Sequence, residues 1–489
     1  MSDNIIIMQI PHKAFGRVPA RGYGQKKLYY TGSLADLWEE GYKSPGEDEP
    51  PPPGWPGADT ALSKEASYLK IYQNDTDSQG FWVTPVNFDN WDTAWIDQTF
   101  TAKDTFGTAL YFAVGTKSDS KDTYDRKLDF YRLTDGERRK IPFHVAGLGQ
   151  RYLRVGSYNP TGMSAYAMTQ QIHNVYLTAI QRLNPDSDGF IYKPGTYEYN
   201  WTVRNNDSLD KRIHFDASRI EISGIQASGK AAIASAKPIT PSEWDGISID
   251  WDVSGTSNTA VYNRFGVGAI DAAPASFSRF ANIPGPIARC TQRVPLTGLA
   301  GNPHICVGNY NAPSVYNYTR SALIYGIRLY RVPDNIVGSL GLGAGKLLWD
   351  GDGDDLWGVN VQTNGSGDYV VRFQGDSYWT VRAYSGSAVA SMITVKPVDL
   401  SQWSTLHVLW EQAGSTSSSC VSALSVGTFG HGYNSWTAAT TKTGQFAETE
   451  STLDISGITD SLHIAVFAKN AHSSFSYECK LRVKRVWLT

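Results

Sequence analysis

Charge is scarce in this 489-residue chain. Asp, Glu, Lys and Arg make up 19% of it, against about 25% in ordinary globular proteins, so its surface must be polar through Ser, Thr, Asn and Gly. The 44 basic and 47 acidic residues leave a net charge of -3. That balance offers no basic field for a phosphate backbone and excludes nucleic acid as a main partner. Cysteine is scarce too. Cys290, Cys306, Cys420 and Cys479 lack the CxxC pairs of a zinc site and are too few for a disulfide scaffold. They read as buried thiols, with a bridge between Cys290 and Cys306 as the alternative.

Long apolar runs are absent as well. Ile5 to Ile10 is too short for a signal-peptide core and has no basic flank before it, and no stretch approaches a membrane span. The expectation is a protein made in a reducing cytosol, without membrane insertion, in which any Asn-x-Ser/Thr triplets are chance. Helix signals are few. Ser33 to Glu40 reads as one turn capped by Ser33, or equally as a loop. What the chain does have is 46 Gly, 15 Trp, 27 Tyr and 18 Phe, the profile of a folded, strand-rich protein. Its length suggests about three domains.

Laid against itself, the sequence repeats. Val86 to Phe100 (VNFDNWDTAWIDQTF), Ile239 to Val253 (ITPSEWDGISIDWDV) and Val398 to Gln412 (VDLSQWSTLHVLWEQ) share a tryptophan: Trp91, Trp244 and Trp403, 153 and 159 residues apart. A second anchor follows around Gly147, Gly298 and Gly457, at separations of 151 and 159 residues. Each copy opens on an aromatic followed by a tryptophan (Tyr29 and Trp38, Tyr192 and Trp201, Trp349 and Trp357). Each closes on an apolar strand, ending at Thr178, Val332 and Thr489. The modules span 26–178, 189–333 and 346–489. The recurring tryptophans Trp91, Trp244 and Trp403 are expected to mark the core.

Period-two alternation assigns the strands, because successive side chains point to opposite faces. Ile247, Ile249, Trp251 and Val253 alternate with Ser248, Asp250 and Asp252. Leu406, Val408 and Trp410 follow suit, as do Leu462, Ile464 and Val466. The predicted fold class is all-β: three tandem antiparallel β-sandwich, jelly-roll-like modules of roughly eight to ten strands each, behind a short N-terminal arm. A module of this size can bury about two-thirds of the surface its unfolded chain exposes. The Pro-rich stretch 44–57 (SPGEDEPPPPGWPG) falls inside module one as an extended loop. Asp334 to Gly345 is a Gly-rich joint. Outside the repeat lies the arm 1–25, whose Ile5, Ile6, Ile7, Ile10, Phe15 and Arg17 suit β-augmentation onto another chain.

Modules with an aromatic-rich first strand, a strand like SEWDGISIDWDV, a turn and strand like LDISGITDSLHIAVF (Leu453 to Phe467) and a last strand ending VWL resemble the jelly-roll, carbohydrate-binding-like modules of tailed-bacteriophage structural proteins. Such modules occur in tail fibres, baseplate appendages and head fibres. The resemblance covers residues 26–489 and is weakest in module one, with its Pro insertion and its YDRKLDFYRL segment. It implies a virion structural protein docked on other virion proteins through its arm, possible trimer formation, and distal modules that contact host-surface glycans. The alternative is a tail or capsid decoration subunit that binds no sugar; a glycan-degrading enzyme is the third reading.

Sugar recognition needs aromatic faces against apolar ring faces, with amide, guanidinium or carboxylate groups for the hydroxyls. Two clusters in module three supply these residue types: His431, Tyr433, Asn434 and Trp436 in GTFGHGYNSWT, and Tyr378, Trp379, Arg382 and Tyr384. Packing of these aromatics into the sandwich is the competing reading. Asn309, Tyr310, Asn311, Tyr316 and Tyr318 form the comparable group in module two. Asp350, Asp352 and Asp354 have a calcium-loop spacing, but Asp355 and Val361 stand where an EF-hand needs Gly and Glu. A solvated turn is the expectation, with a structural Ca²⁺ as the alternative and no other cofactor. The GxSxG, HExxH and P-loop patterns are absent, and no carboxylate pair is marked out by spacing. The chain therefore reads as non-enzymatic.

Overall fold

The computed structural model describes residues 26–30, 38–40, 61–73, 78–82, 85–102, 109–116, 124–131, 136–158, 168–203, 212–224, 230–255, 261–311, 320–332, 346–349, 355–360 and 368–489. The arm 1–25, the Pro-rich loop 44–57, the joint 334–345, Asp350, Asp352, Asp354, Tyr316 and Tyr318 lie outside them. The described residues form antiparallel β-strands and short 3-10 turns, with no α-helix among them. Of the turn or loop expected over Ser33 to Glu40, 33–37 lie outside the described residues, and Trp38–Glu40 form a strand whose indole is fully buried.

The same arrangement recurs three times. A closing strand (Met168–Thr178, Arg320–Tyr330, Cys479–Leu488) pairs with the first strand of its copy (Lys26–Tyr30, Phe190–Tyr192, Lys346–Trp349). It also pairs with the strand after the landmark tryptophan (Thr93–Ala102, Gly246–Gly255, Thr405–Gln412). In the second sheet of each copy, the strand after the landmark glycine (Gln150–Tyr158, His304–Asn311, Ser461–Asn470) pairs with Ala109–Gly115, Val261–Gly268 or Cys420–Gly427. The described residues of 346–489 form twelve strands, more than the eight to ten expected, because two- and three-residue strands carry too little alternation to be read.

The landmarks mark turns. The amides of Trp91, Trp244 and Trp403 each donate to the carbonyl three residues back (Phe88, Pro241, Leu400), at 3.1 Å in all three copies. The next residue, Asp92, Asp245 or Ser404, donates to Thr178, Tyr330 or Thr489 at the end of the closing strand. Gly147, Gly298 and Gly457 have φ of +74°, +72° and +88°, backbone that a side chain disfavours. The core expectation for Trp91, Trp244 and Trp403 is corrected: all three are half-buried, because the turn holds each ring at the end of the sheet. The buried tryptophans lie elsewhere. Trp38, Trp201 and Trp357 are fully buried, as are Trp95, Trp251 and Trp410 within the strands.

By its contacts the chain divides into two compact units, Met1–Leu183 with Lys193–Pro238 and Val315–Thr319, and Asn184–Tyr192 with Ile239–Ser314 and Arg320–Thr489. These bounds are not those of the repeats. In the first unit Trp95 packs edge-on against Phe215, 5.3 Å between centroids, and Lys237 reaches Asp92 at 2.7 Å. In the second, Cys290 and Thr291 pair with Phe373 and Arg372. There Asp355 takes ion pairs from Arg293 at 3.1 Å and from Arg328. Arg293 is 5% exposed, and a charge that deeply buried is stable only when paired.

The cysteines split. Cys290 and Cys306 are buried free thiols, as expected. Burial pushes both thiols up, leaving them inert. Cys420 and Cys479 correct the expectation: they form a disulfide, Cα atoms 5.1 Å apart across 59 residues. It joins the strand Cys420–Gly427 of one sheet to Cys479–Leu488 of the other.

Candidate functional site

The strand Ser461–Asn470 departs from alternation. Leu462, Ile464, Val466 and Ala468 face the sandwich core, but His463, Ala465 and Phe467 on the other face are buried too. The reason is the segment 428–437, which folds back over the outer face of this sheet. Phe429, Tyr433 and Trp436 pack with Val389 against a cluster of Ile393, Ala423, Ala465 and Phe467. The register places Ser391 and Ala423 on either side of Phe467, and Val389 and Val421 on either side of Lys469.

His431 anchors the segment. Its Nδ1 lies 2.8 Å from the Thr428 carbonyl, which can only accept, so Nδ1 carries the proton; Nε2, 2.9 Å from the Ser425 hydroxyl, accepts from it. The ring is 4% exposed. A Cβ at Gly427 would come within 2.8 Å of it, so glycine is what lets the imidazole seat there. The His431 carbonyl accepts from Asn360 Nδ2 at 3.0 Å. Burial holds the His431 imidazole below the usual range, against a weaker opposing pull from the Thr428 carbonyl. His463 behaves alike: burial lowers it, and its Nδ1 donates to the Thr394 carbonyl at 2.6 Å. His431 is therefore a structural pin rather than a ligand contact, which corrects its place in the expected site.

Tyr433 and Trp436 are different. They meet edge to face at 4.8 Å, each ring edge-on to Phe467, at 6.0 and 6.1 Å. Both remain half-buried, while Asn434 is exposed at the turn between them with φ +78°, a conformation Asn tolerates better than most residues. Lys469 Nζ sits 3.9 Å from the Tyr433 ring centroid. Burial pushes the Tyr433 phenol up, so it is a neutral hydroxyl. Exposed Thr441 and Thr443 line the adjoining strand.

The other expected cluster does not join this one. Tyr378, Trp379, Arg382 and Tyr384 belong to the opposite sheet, whose strand Trp379–Ala383 pairs with Cys479–Leu488. Trp379 is fully buried, its ring 6.1 Å from Trp349, and is corrected to a core residue. Arg382 is held by Glu478 at 2.8 Å and lies 4.8 Å from the Tyr384 ring. The Tyr378 ring is 5.3 Å from the Arg482 guanidinium. In the module-two group, Asn309 is fully buried and accepts from Arg320 at 3.0 Å, and Tyr310 stacks with Tyr262.

Sequence reasoning missed Phe467 and Lys469, although a strand apolar on both faces signals a cover. It also missed the turn 471–478. There Phe475 is 61% exposed, 4.7 Å from His472 and 6.3 Å from Tyr477, with its carbonyl held by Asn470 Nδ2 at 2.8 Å. No His, Cys, Asp and Glu group among the described residues could hold a metal ion. No helix there is long and apolar enough to cross a membrane.

No family model and no curated protein matches the chain. Among solved structures, it is similar to the tandem CBM22-1–CBM22-2 domain of Paenibacillus barcinonensis Xyn10C, at 12% identity and a TM-score of 0.20, over 64% of this chain and 98% of that one. It is also similar to a triple jelly-roll protein of an archaeal virus, at 8% identity and a TM-score of 0.23, covering 88% and 84% of the two chains. A structure of Sulfolobus Turreted Icosahedral Virus matches at 8% identity and a TM-score of 0.23, covering 88% and 85%. At such scores the fold class rests on the chain's own strands and registers.

Proposed function

We propose that this chain is a virion structural protein, a fibre or appendage on a bacteriophage tail or capsid, that docks through its N-terminal arm and contacts host-surface glycans through the third repeat. It acts by binding, without catalysis. The observation that carries the binding reading is the Tyr433–Trp436 pair: two rings pinned against Phe467, only partly buried, and bordered by Asn434, Thr441 and Thr443. Rings fixed in this way meet the apolar face of a sugar with little ordering cost, and neighbouring amides and hydroxyls serve its polar edge. No Asp or Glu occurs in 389–394, 420–443 or 461–470, so the face has no carboxylate pair for glycoside hydrolysis. The resemblance of the repeats to phage appendage modules supports the virion reading. Weak single sites suffice on a particle, where many copies raise the effective concentration.

The test is a glycan array and a host-cell binding assay with the full chain beside the Tyr433→Ala/Trp436→Ala double variant. Saturable binding that weakens roughly tenfold or more in the variant, with unchanged circular dichroism, is the expected result. No binding even when the protein is multimerised on beads would turn the assignment to a decoration subunit.

A further inference from the structure

The segments that build the floor and wall of this face, 389–394, 420–443 and 461–470, contain no acidic residue and two lysines, Lys442 and Lys469. The two point differently. Lys442 pairs across from Ser422, and its ammonium sits 4.4 Å from the Phe446 ring. Lys469 lies in register with Val389 and Val421, on the face where Tyr433 stands. Elsewhere, ammonium groups of comparable exposure are held by carboxylates: Lys140 by Glu198, Lys396 by Asp245 at 3.2 Å, Lys484 by Glu448 at 2.6 Å. Among the described residues Lys469 forms no salt bridge; a ring face is its neighbour.

A partly desolvated ammonium gains from an aromatic face but keeps donors directed outward. An anion placed there would take a charge-assisted hydrogen bond with no carboxylate from these three segments competing or repelling. We infer that this face is selective for anionic sugars, with Lys469 receiving the ligand's carboxylate or phosphate while Tyr433 and Trp436 take the ring. The inference rests on the glycan-binding reading of the same face and names its ligand class. Lys469 is the specificity-determining group, and the aromatic pair supplies affinity common to charged and neutral sugars.

The experiment compares matched ligands on the full chain: tetragalacturonate against its methyl ester, sialyllactose against lactose, and a glycerol-phosphate polymer as the phosphate arm. Each is titrated against the native chain and the variants Lys469→Gln, Lys442→Gln and Trp436→Ala. The expected result is a preference for the anionic member of a pair. Lys469→Gln should abolish it with a loss of about tenfold or more, Lys442→Gln should leave it unchanged, and Trp436→Ala should weaken both members. Response to the phosphate polymer alone would identify phosphate as the anion, by the same Lys469 criterion. Equal binding of charged and neutral members, unaffected by Lys469→Gln, would overturn the inference and leave the glycan-binding reading standing. Failure of every glycan to bind would overturn both.

Discussion

His431 shows how a residue type can be read correctly and its role missed. His431 looked like a polar contact because Gly, Tyr, Asn and Trp surround it in sequence. In the fold its two nitrogens are spent on Thr428 and Ser425, inside the segment that seats Tyr433 and Trp436 against Phe467. Both His431 and His463 sit below the usual imidazole value of 6.5 because burial penalises the charged form. A group whose folded value is depressed stabilises the fold above its unfolded value, and that contribution is lost as pH falls through the folded value. The expected outcome is a melting temperature that declines as the pH drops below about 6.5, with a shallower decline in His431→Gln. The His431 and His463 resonances should titrate below 6.5 in the folded protein; titration of these two at or above it would contradict the assignment. Trp91, Trp244 and Trp403 carry the converse lesson. Their recurrence was read as a core signal, but it marks a recurring turn that leaves each ring half-buried at the end of the sheet.

At the scale of elements, alternation was the reliable signal. Ile247, Ile249, Trp251 and Val253 are buried as the pattern demands, and so are Leu406, Val408 and Trp410. It failed where a segment distant in sequence covers a face, as 428–437 does over Phe467, because periodicity records only the strand itself. The pairing of Cys420 with Cys479 was equally hidden: the residues are 59 apart on different sheets, and spacing carries no record of that. A bond of this kind forms under oxidising conditions, whereas a reducing compartment was expected. It staples the two sheets of the third repeat near one end, beside the turn that bears Phe475. Removing it by Cys420→Ser/Cys479→Ser should cost about 2 to 4 kcal/mol. Chemical denaturation of native and variant protein would measure this, and an unchanged midpoint would show that the bridge is absent in solution.

For the whole molecule, the threefold repeat was legible and its compaction was not. Four landmarks in one order fixed where strands recur, and each copy reproduces the closing-strand pairings. Yet the chain compacts as two units that divide the second repeat: 193–238 goes with the first unit, and 239–314 shares with the third repeat strand pairing through Cys290 and Phe373 and an ion-pair cluster around Asp355. Neither contact has a local signature in sequence. Among the described residues the third repeat carries both the Tyr433–Trp436 face and the Phe475 turn, and the account assigns ligand binding to the first. Hydrogen–deuterium exchange of the full chain, with and without its strongest ligand from the array, tests that assignment most directly. The account predicts slowed exchange in 428–443 and 465–470 with 471–478 unchanged. Protection confined to 471–478, or none on the third repeat at saturating ligand, would contradict it.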